Sequence, residues 1–271
     1  MSAAAMFQDA SAIPAWRTIL FRVIAGFATL VVFVLFGGAT TLLEPWGVRL
    51  FPDQDGYAWQ EHLWHQAGWA AQMGILFGGS LIAMLVRDRR VPAALQFFAF
   101  GMTGFVLSLL PFLYSVPSPV MLAIPLVLVA IVVAAYPGPR SLFEFAPVRS
   151  RSLLAIAAVT ALAFAPSIIS DIGLQIAGGP TEEHAAHHHW LSSAYAVVLI
   201  VAAGILASTK RPGWRLLGAL AGAALVYLGV AAVSLPTNPG SIGTLSGIVA
   251  IVLGAAFVVT IFREPSPAAR G

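Results

Sequence analysis

Six histidines occur in the 271 residues, and they fall in two places with one local spelling. Glu61-His62-Leu63-Trp64-His65 and Glu183-His184-Ala185-Ala186-His187 both read Glu-His-x-x-His, and the second runs on into His188 and His189. Cysteine is absent, which excludes disulfides, thiolate ligands and a cysteine nucleophile. Coordinating or titrating chemistry is therefore concentrated in these two clusters. Residues three and four apart share one face of a helix. His62 and His65 pair in this way, as do His184 with His187 and His188, Glu61 with His65, and Glu183 with His187.

Imidazole and carboxylate together suit a divalent transition metal such as Zn, Cu, Fe or Mn. The expected ligands are Glu61, His62, His65, Glu183, His184, His187 and His188, with Glu44 and Asp171 as supporting oxygens. Two other readings stay open. One is a haem-binding redox protein with His65 and His187 as axial ligands. The other is a partner subunit or pH-responsive protein without a cofactor. Imidazole titrates near pH 6.5, so six such groups would change the charge of one face between about pH 7 and 5.5. None of the three names a reaction, and whether the chain is an enzyme stays open. The order of residues differs from the His-Glu-x-x-His of zinc metalloproteases, where the glutamate lies between the histidines.

The elements that carry the clusters follow from composition. Charged residues make up 9% of the chain and hydrophobic ones 59%, against about 25% charged in a soluble domain. So few charges cannot clothe a water-facing surface, and the chain reads as an all-α polytopic membrane protein. A span needs about 20 mainly apolar residues. Eight candidates are present: Thr18–Leu43, Gln66–Val86, Pro92–Tyr114, Ser118–Tyr136, Leu153–Gly173, His189–Thr209, Trp214–Ser234 and Ser241–Phe262. The net charge of +3 does not indicate nucleic acid, because the basic residues are scattered through short loops. The expected partners are the lipid bilayer and other membrane subunits.

Those loops set orientation. Arg17 and Arg22, then Arg87, Arg89 and Arg90, then Arg140, Arg149 and Arg151, then Lys210, Arg211 and Arg215, and finally Arg263 and Arg270 all fall on one side. Only Arg49 does not. Every second loop is basic, which predicts cytoplasmic termini in a cytoplasmic membrane and histidine clusters on the extracytoplasmic face. The outer loops are acidic, with Glu44, Asp53, Asp55 and Glu61 in one and Asp171, Glu182 and Glu183 in the other. Thr181 and Asp55 read as helix N-caps. Trp46, Trp59, Trp64, Trp69 and Trp190 read as an aromatic belt. Small residues at Gly74, Gly78, Gly79 and Ser80, and at Gly218, Ala221, Gly222 and Ala223, predict close helix packing.

The chain also reads as a duplication, with residues 1–140 as one four-helix half and 141–271 as the other. Glu61 and Glu183 lie 122 positions apart, as do Arg89 and Arg211. Halves of four spans keep the same orientation, which predicts a pseudo-twofold axis along the membrane normal. Both clusters then lie on one face. This plan is similar to that of haem A synthases, which have eight helices in two halves with outer Glu and His at the second and sixth. Those enzymes also carry a histidine in the last helix of each half. This chain has none there, so the likeness stops at architecture.

Overall fold

The computed structural model describes residues 14–47, 59–87, 91–115, 119–138, 142 and 149–265. Asp53, Asp55, Arg49, Arg89, Arg90, Arg140 and Arg270 lie outside them. The described residues are helical, without a strand. In chain order the elements are α1 (Ala15–Leu35), α2 (Gln60–Arg87), α3 (Pro92–Phe112), α4 (Pro119–Ala135), α5 (Arg151–Gly178), the short α6 (Glu183–Ala186), α7 (His189–Ser208), α8 (Trp214–Ser234) and α9 (Gly243–Arg263). Seven are long and apolar enough to cross a membrane. The remaining long segment, α4, is apolar but has 17 residues and carries Pro125. The bundle is thus of the polytopic membrane type.

Burial sorts the helices into two groups. α2, α3, α7 and α8 place more than half of their apolar stretch inside the protein, whereas α1, α5 and α9 place about a quarter there. Leu162 and Ile169 on α5 are 77% and 71% exposed, and Leu245 on α9 is 77% exposed. A stripe of such residues facing water would be a large apolar patch. Facing acyl chains it costs nothing.

Glycines let backbones touch, at Gly74, Gly79 and Gly222 where the sequence pattern predicted close packing and at Gly38, Gly229, Gly247 and Gly254 where it did not. A Cβ on Gly222 would lie 2.7 Å from the Gly254 carbonyl oxygen, and one on Gly229 2.5 Å from that of Gly247. These pairs set the antiparallel register of α8 on α9. Gly79 likewise accepts Leu220 of α8. Gly38 and Gly74 bring the end of α1 against the middle of α2 in the same way. There α2 departs from regular α geometry: residues Ala70–Gly78 form a π-helical stretch.

Two spans end elsewhere than the hydropathy pattern predicts. The first was expected to reach Leu43 but stops at Leu35, because Gly37 turns left-handed at φ 67° and Gly38 packs on the α2 backbone. The fifth runs past Gly173 to Gly178, and its added turns bury Gln175.

α2 and α7 both begin at histidines and run toward basic loops. At that far end Ser150 caps α5, accepting from the Leu153 amide, and its hydroxyl donates to Glu264, which also pairs with Lys210. Arg215 donates to the Glu264 carbonyl at 2.7 Å. Burial opposes the Glu264 charge, yet Lys210 and Ser150 outweigh it and hold the carboxyl below its ordinary range. Arg211 donates to Gln96 Oε1 at 2.5 Å, and Gln96 donates in turn to the Leu142 carbonyl.

Candidate functional site

The two histidine clusters, 119 positions apart at their nearest members, meet at one end of the bundle. The α2 arm starts with a 3-10 turn, Trp59–His62, and becomes α-helical at Leu63. A helix start leaves several amides without partners. Asn238, in the turn between α8 and α9, accepts from the Trp64 amide at 3.0 Å and donates to the Gln60 carbonyl at 2.6 Å. This clamp fixes His62 and His65, which are almost fully buried. Gly240 of the same turn closes over them. It sits at φ 76°, and a Cβ there would lie 3.0 Å from His65 Cε1 and 2.9 Å from Trp190.

The second arm is held by Glu182 rather than Thr181. The Glu182 carboxylate caps α6, accepting from the His184 amide at 3.1 Å and the Ala185 amide at 2.7 Å. It also accepts from Trp190 Nε1 at 3.0 Å and from His184 Nδ1 at 2.9 Å. Burial opposes its charge, but the bonds from Trp190, Ala185 and His184 prevail and hold the carboxyl down at about 2. Gln175 of α5 donates to the Ala185 carbonyl at 2.8 Å and accepts from the Leu191 amide at 3.2 Å, which ties α6 and α7 to α5. Between α6 and α7 the chain turns through His188 at φ 60°, a left-handed conformation unusual outside glycine.

Across the junction Gln72 of α2 donates to the Ser192 carbonyl at 2.8 Å and to its hydroxyl at 2.9 Å. Gly68 lets the Ser193 backbone approach. The rings then converge. His65 lies 5.1 Å from His184 and 5.2 Å from His189, centroid to centroid, and His62 lies 4.6 Å from both His184 and His189. Trp190 abuts His65 and His184 at 4.9 Å each. Two imidazoles have clearly divided nitrogens. His65 Nδ1 bonds the Ser193 hydroxyl at 2.8 Å and His184 Nδ1 bonds Glu182, while Nε2 of each is buried without a hydrogen-bond partner.

The other expected site residues are placed unevenly. Glu183 approaches His62, with its carboxylate 3.8 Å from His62 Nε2. Glu61 is exposed. His187 is exposed but stacks at 5.6 Å on His189, and His188 faces Phe112 at 6.4 Å. Glu44 belongs to a turn, Glu44–Trp46, whose Trp46 packs on Tyr227 of α8. Asp171 is buried one turn before Gln175. Trp64 and Trp190 are buried parts of this end rather than members of an interfacial belt.

Among the described residues, no three His, Asp or Glu side chains stand ready to hold a metal ion. Ring attitude accounts for this. His62 lies nearly parallel to His184 (21°) and His65 to His189 (18°), so faces meet where lone pairs would have to. The separations themselves suit shared ligation: with Zn–N near 2.1 Å, two tetrahedral imidazole ligands put their centroids roughly 5 Å apart.

Beside the cluster lies a cavity of about 460 Å³, lined by His65, His187, His188 and His189, by Thr41, Gln66 and Ser192, and otherwise by apolar side chains. No family model, curated protein or solved structure matches the chain. Fold and site define its class, a helical membrane-type bundle with buried histidines at one end, and nothing narrower.

Proposed function

We propose that the chain is an integral membrane protein that binds a divalent transition metal through the histidines at this end, on the extracytoplasmic side. The observation that carries the reading is the pair His65 and His184. Each has Nδ1 engaged, by Ser193 and by a carboxylate, and each keeps a buried Nε2 with no partner. Metal-binding histidines use that division of labour, the outer hydrogen bond fixing tautomer and ring while the other nitrogen ligates. A buried polar atom left unsatisfied costs about 1–3 kcal/mol, and a metal bond would recover it. His62 and His189 complete an imidazole-rich set, with Glu183 as the nearest carboxylate. Such a set favours Zn or Cu over Mn.

Sidedness rests on the basic loops at the far ends of α2 and α7, and the shared motif on a duplication of two four-helix halves. The pH-responsive reading draws on the same stacked rings, since charging neighbours this close would drive them apart. The haem reading would use the cavity that His65 and His187 both line.

The test is purification in mild detergent without a histidine tag, then elemental analysis and an absorption spectrum. The expected result is one transition metal ion per chain and no Soret band. The ion should be lost in the His65→Ala/His184→Ala double variant and kept in His188→Ala. Equal metal content in the double variant would refute the assignment. A Soret band would favour haem, and metal-free wild-type protein the pH-responsive reading.

A further inference from the structure

The cavity beside the histidines has a chemistry of its own. Its volume, about 460 Å³, is that of a small-molecule site. Trp69 and Phe105 meet edge to face at 5.7 Å in its wall, and the Trp69 indole is fixed by donating to the Phe36 carbonyl at 2.5 Å. Met73 and Met102 add polarisable thioethers, which favour contact with flat rings. The polar lining consists of imidazoles with the Thr41 hydroxyl, the Gln66 amide and Ser192. These groups both donate and accept hydrogen bonds. Among the described residues, no Lys, Arg, Asp or Glu lines it. An anionic head, as in a fatty acid or phospholipid, would find no lysine or arginine to pair with there. Leu35, 62% exposed at the end of α1, belongs to the same lining, so the cavity reaches the apolar outer surface of the bundle.

We infer that this cavity binds a neutral, lipid-soluble ring compound with carbonyl or hydroxyl groups, of the quinone or quinol class, which enters from the bilayer past Leu35 and turns its polar ring toward the histidines. The apolar wall takes the ring face and the first part of the tail. The imidazole end donates to a carbonyl or accepts from a hydroxyl. An occupied metal site is not required.

The experiment is isothermal titration of the full chain in lipid nanodiscs with decylubiquinone, with decylbenzene and oleate as tail and charge controls. One quinone per chain should bind saturably, decylbenzene should bind at least tenfold more weakly, and oleate should not displace the quinone. Met102→Trp fills the interior, and Leu35→Trp narrows the exposed mouth where folding is not at risk. Each should weaken quinone binding by about tenfold or more, in line with overpacking a fitted site. The same affinity is expected after EDTA treatment, so failure of the metal reading leaves this one intact. Absence of saturable quinone binding, displacement by oleate, or unchanged affinity in Leu35→Trp would overturn it.

Discussion

At the scale of single residues, Glu182 concentrates the most structure in one side chain. It accepts four hydrogen bonds, two from α6 amides, one from His184 and one from Trp190. Replacement by alanine removes the cap and frees the His184 ring. The cap alone is worth about 0.5–2 kcal/mol, so Glu182→Ala should lower the unfolding midpoint in detergent by several degrees. A carboxyl held at about 2 against its ordinary 4.5 binds fewer protons folded than unfolded. Its contribution is therefore present above about pH 4.5 and is lost as the pH falls toward 2. An acid titration of wild type and Glu182→Ala should converge over that window; curves that stay parallel would show that the carboxylate does not carry the cap. The sequence pointed to the wrong residue, Thr181. Threonine is the usual capping type and glutamate is not; Glu182 caps here because its carboxylate also bonds His184 of α6 and Trp190 of α7. The clustered histidines were legible because histidine is so rare here. Gln72, Gln175 and Asn238 were not: a lone amide in an apolar run, or an asparagine in a Pro-Gly turn, has no signature of its role until its partners on other elements are known.

At the scale of elements, helix contact is decided by where a Cβ fits. The same substitution separates two cases. In Gly229→Ala the new methyl meets the Gly247 carbonyl at 2.5 Å and the Ile251 amide at 2.9 Å, both backbone, so α8 and α9 must part. Overpacking of this kind costs about 1–3 kcal/mol. In Gly173→Ala on α5 the methyl meets nothing within 4 Å, and better helix propensity favours it by up to about 1 kcal/mol. Thermal unfolding in one detergent should therefore move down for the first and hold or rise for the second; a Gly229→Ala protein as stable as wild type would refute the glycine-set register. This packing was legible in part: small residues in an apolar helix have few other uses, which marked Gly74, Gly79 and Gly222, but Gly229 and its partner Gly247 emerged only from the structure. The π-helical stretch of α2 was not. Nothing in the sequence of Ala70–Gly78, with Gly74 and Gly78 among apolar residues, distinguishes a π-helical from an α-helical turn, and the widened turn coincides with the crossing of Gly38 and Gly74.

At the scale of the whole molecule, the histidine end and the basic end are separated by the length of α2 and α7, and this makes orientation measurable. Apolar composition alone made the spans legible, and seven helices of spanning length follow the hydropathy pattern closely. The expectation of sidedness comes from charge. Arg87, Arg149, Arg151, Lys210, Arg211, Arg215 and Arg263 all lie at the end away from the histidines. Retaining that end in the cytoplasm leaves Thr181 and the histidines outside. The chain has no cysteine, so a single introduced thiol can be labelled without background. Thr181 and Arg87 are both exposed, at opposite ends of the bundle. In intact cells a membrane-impermeant maleimide should label Thr181→Cys at once and Arg87→Cys only after permeabilisation. The reverse pattern would put the histidines in the cytoplasm. A metal bound there would then be drawn from the cytoplasmic pool, while entry past Leu35 from the bilayer, which depends on neither side, would be unaffected.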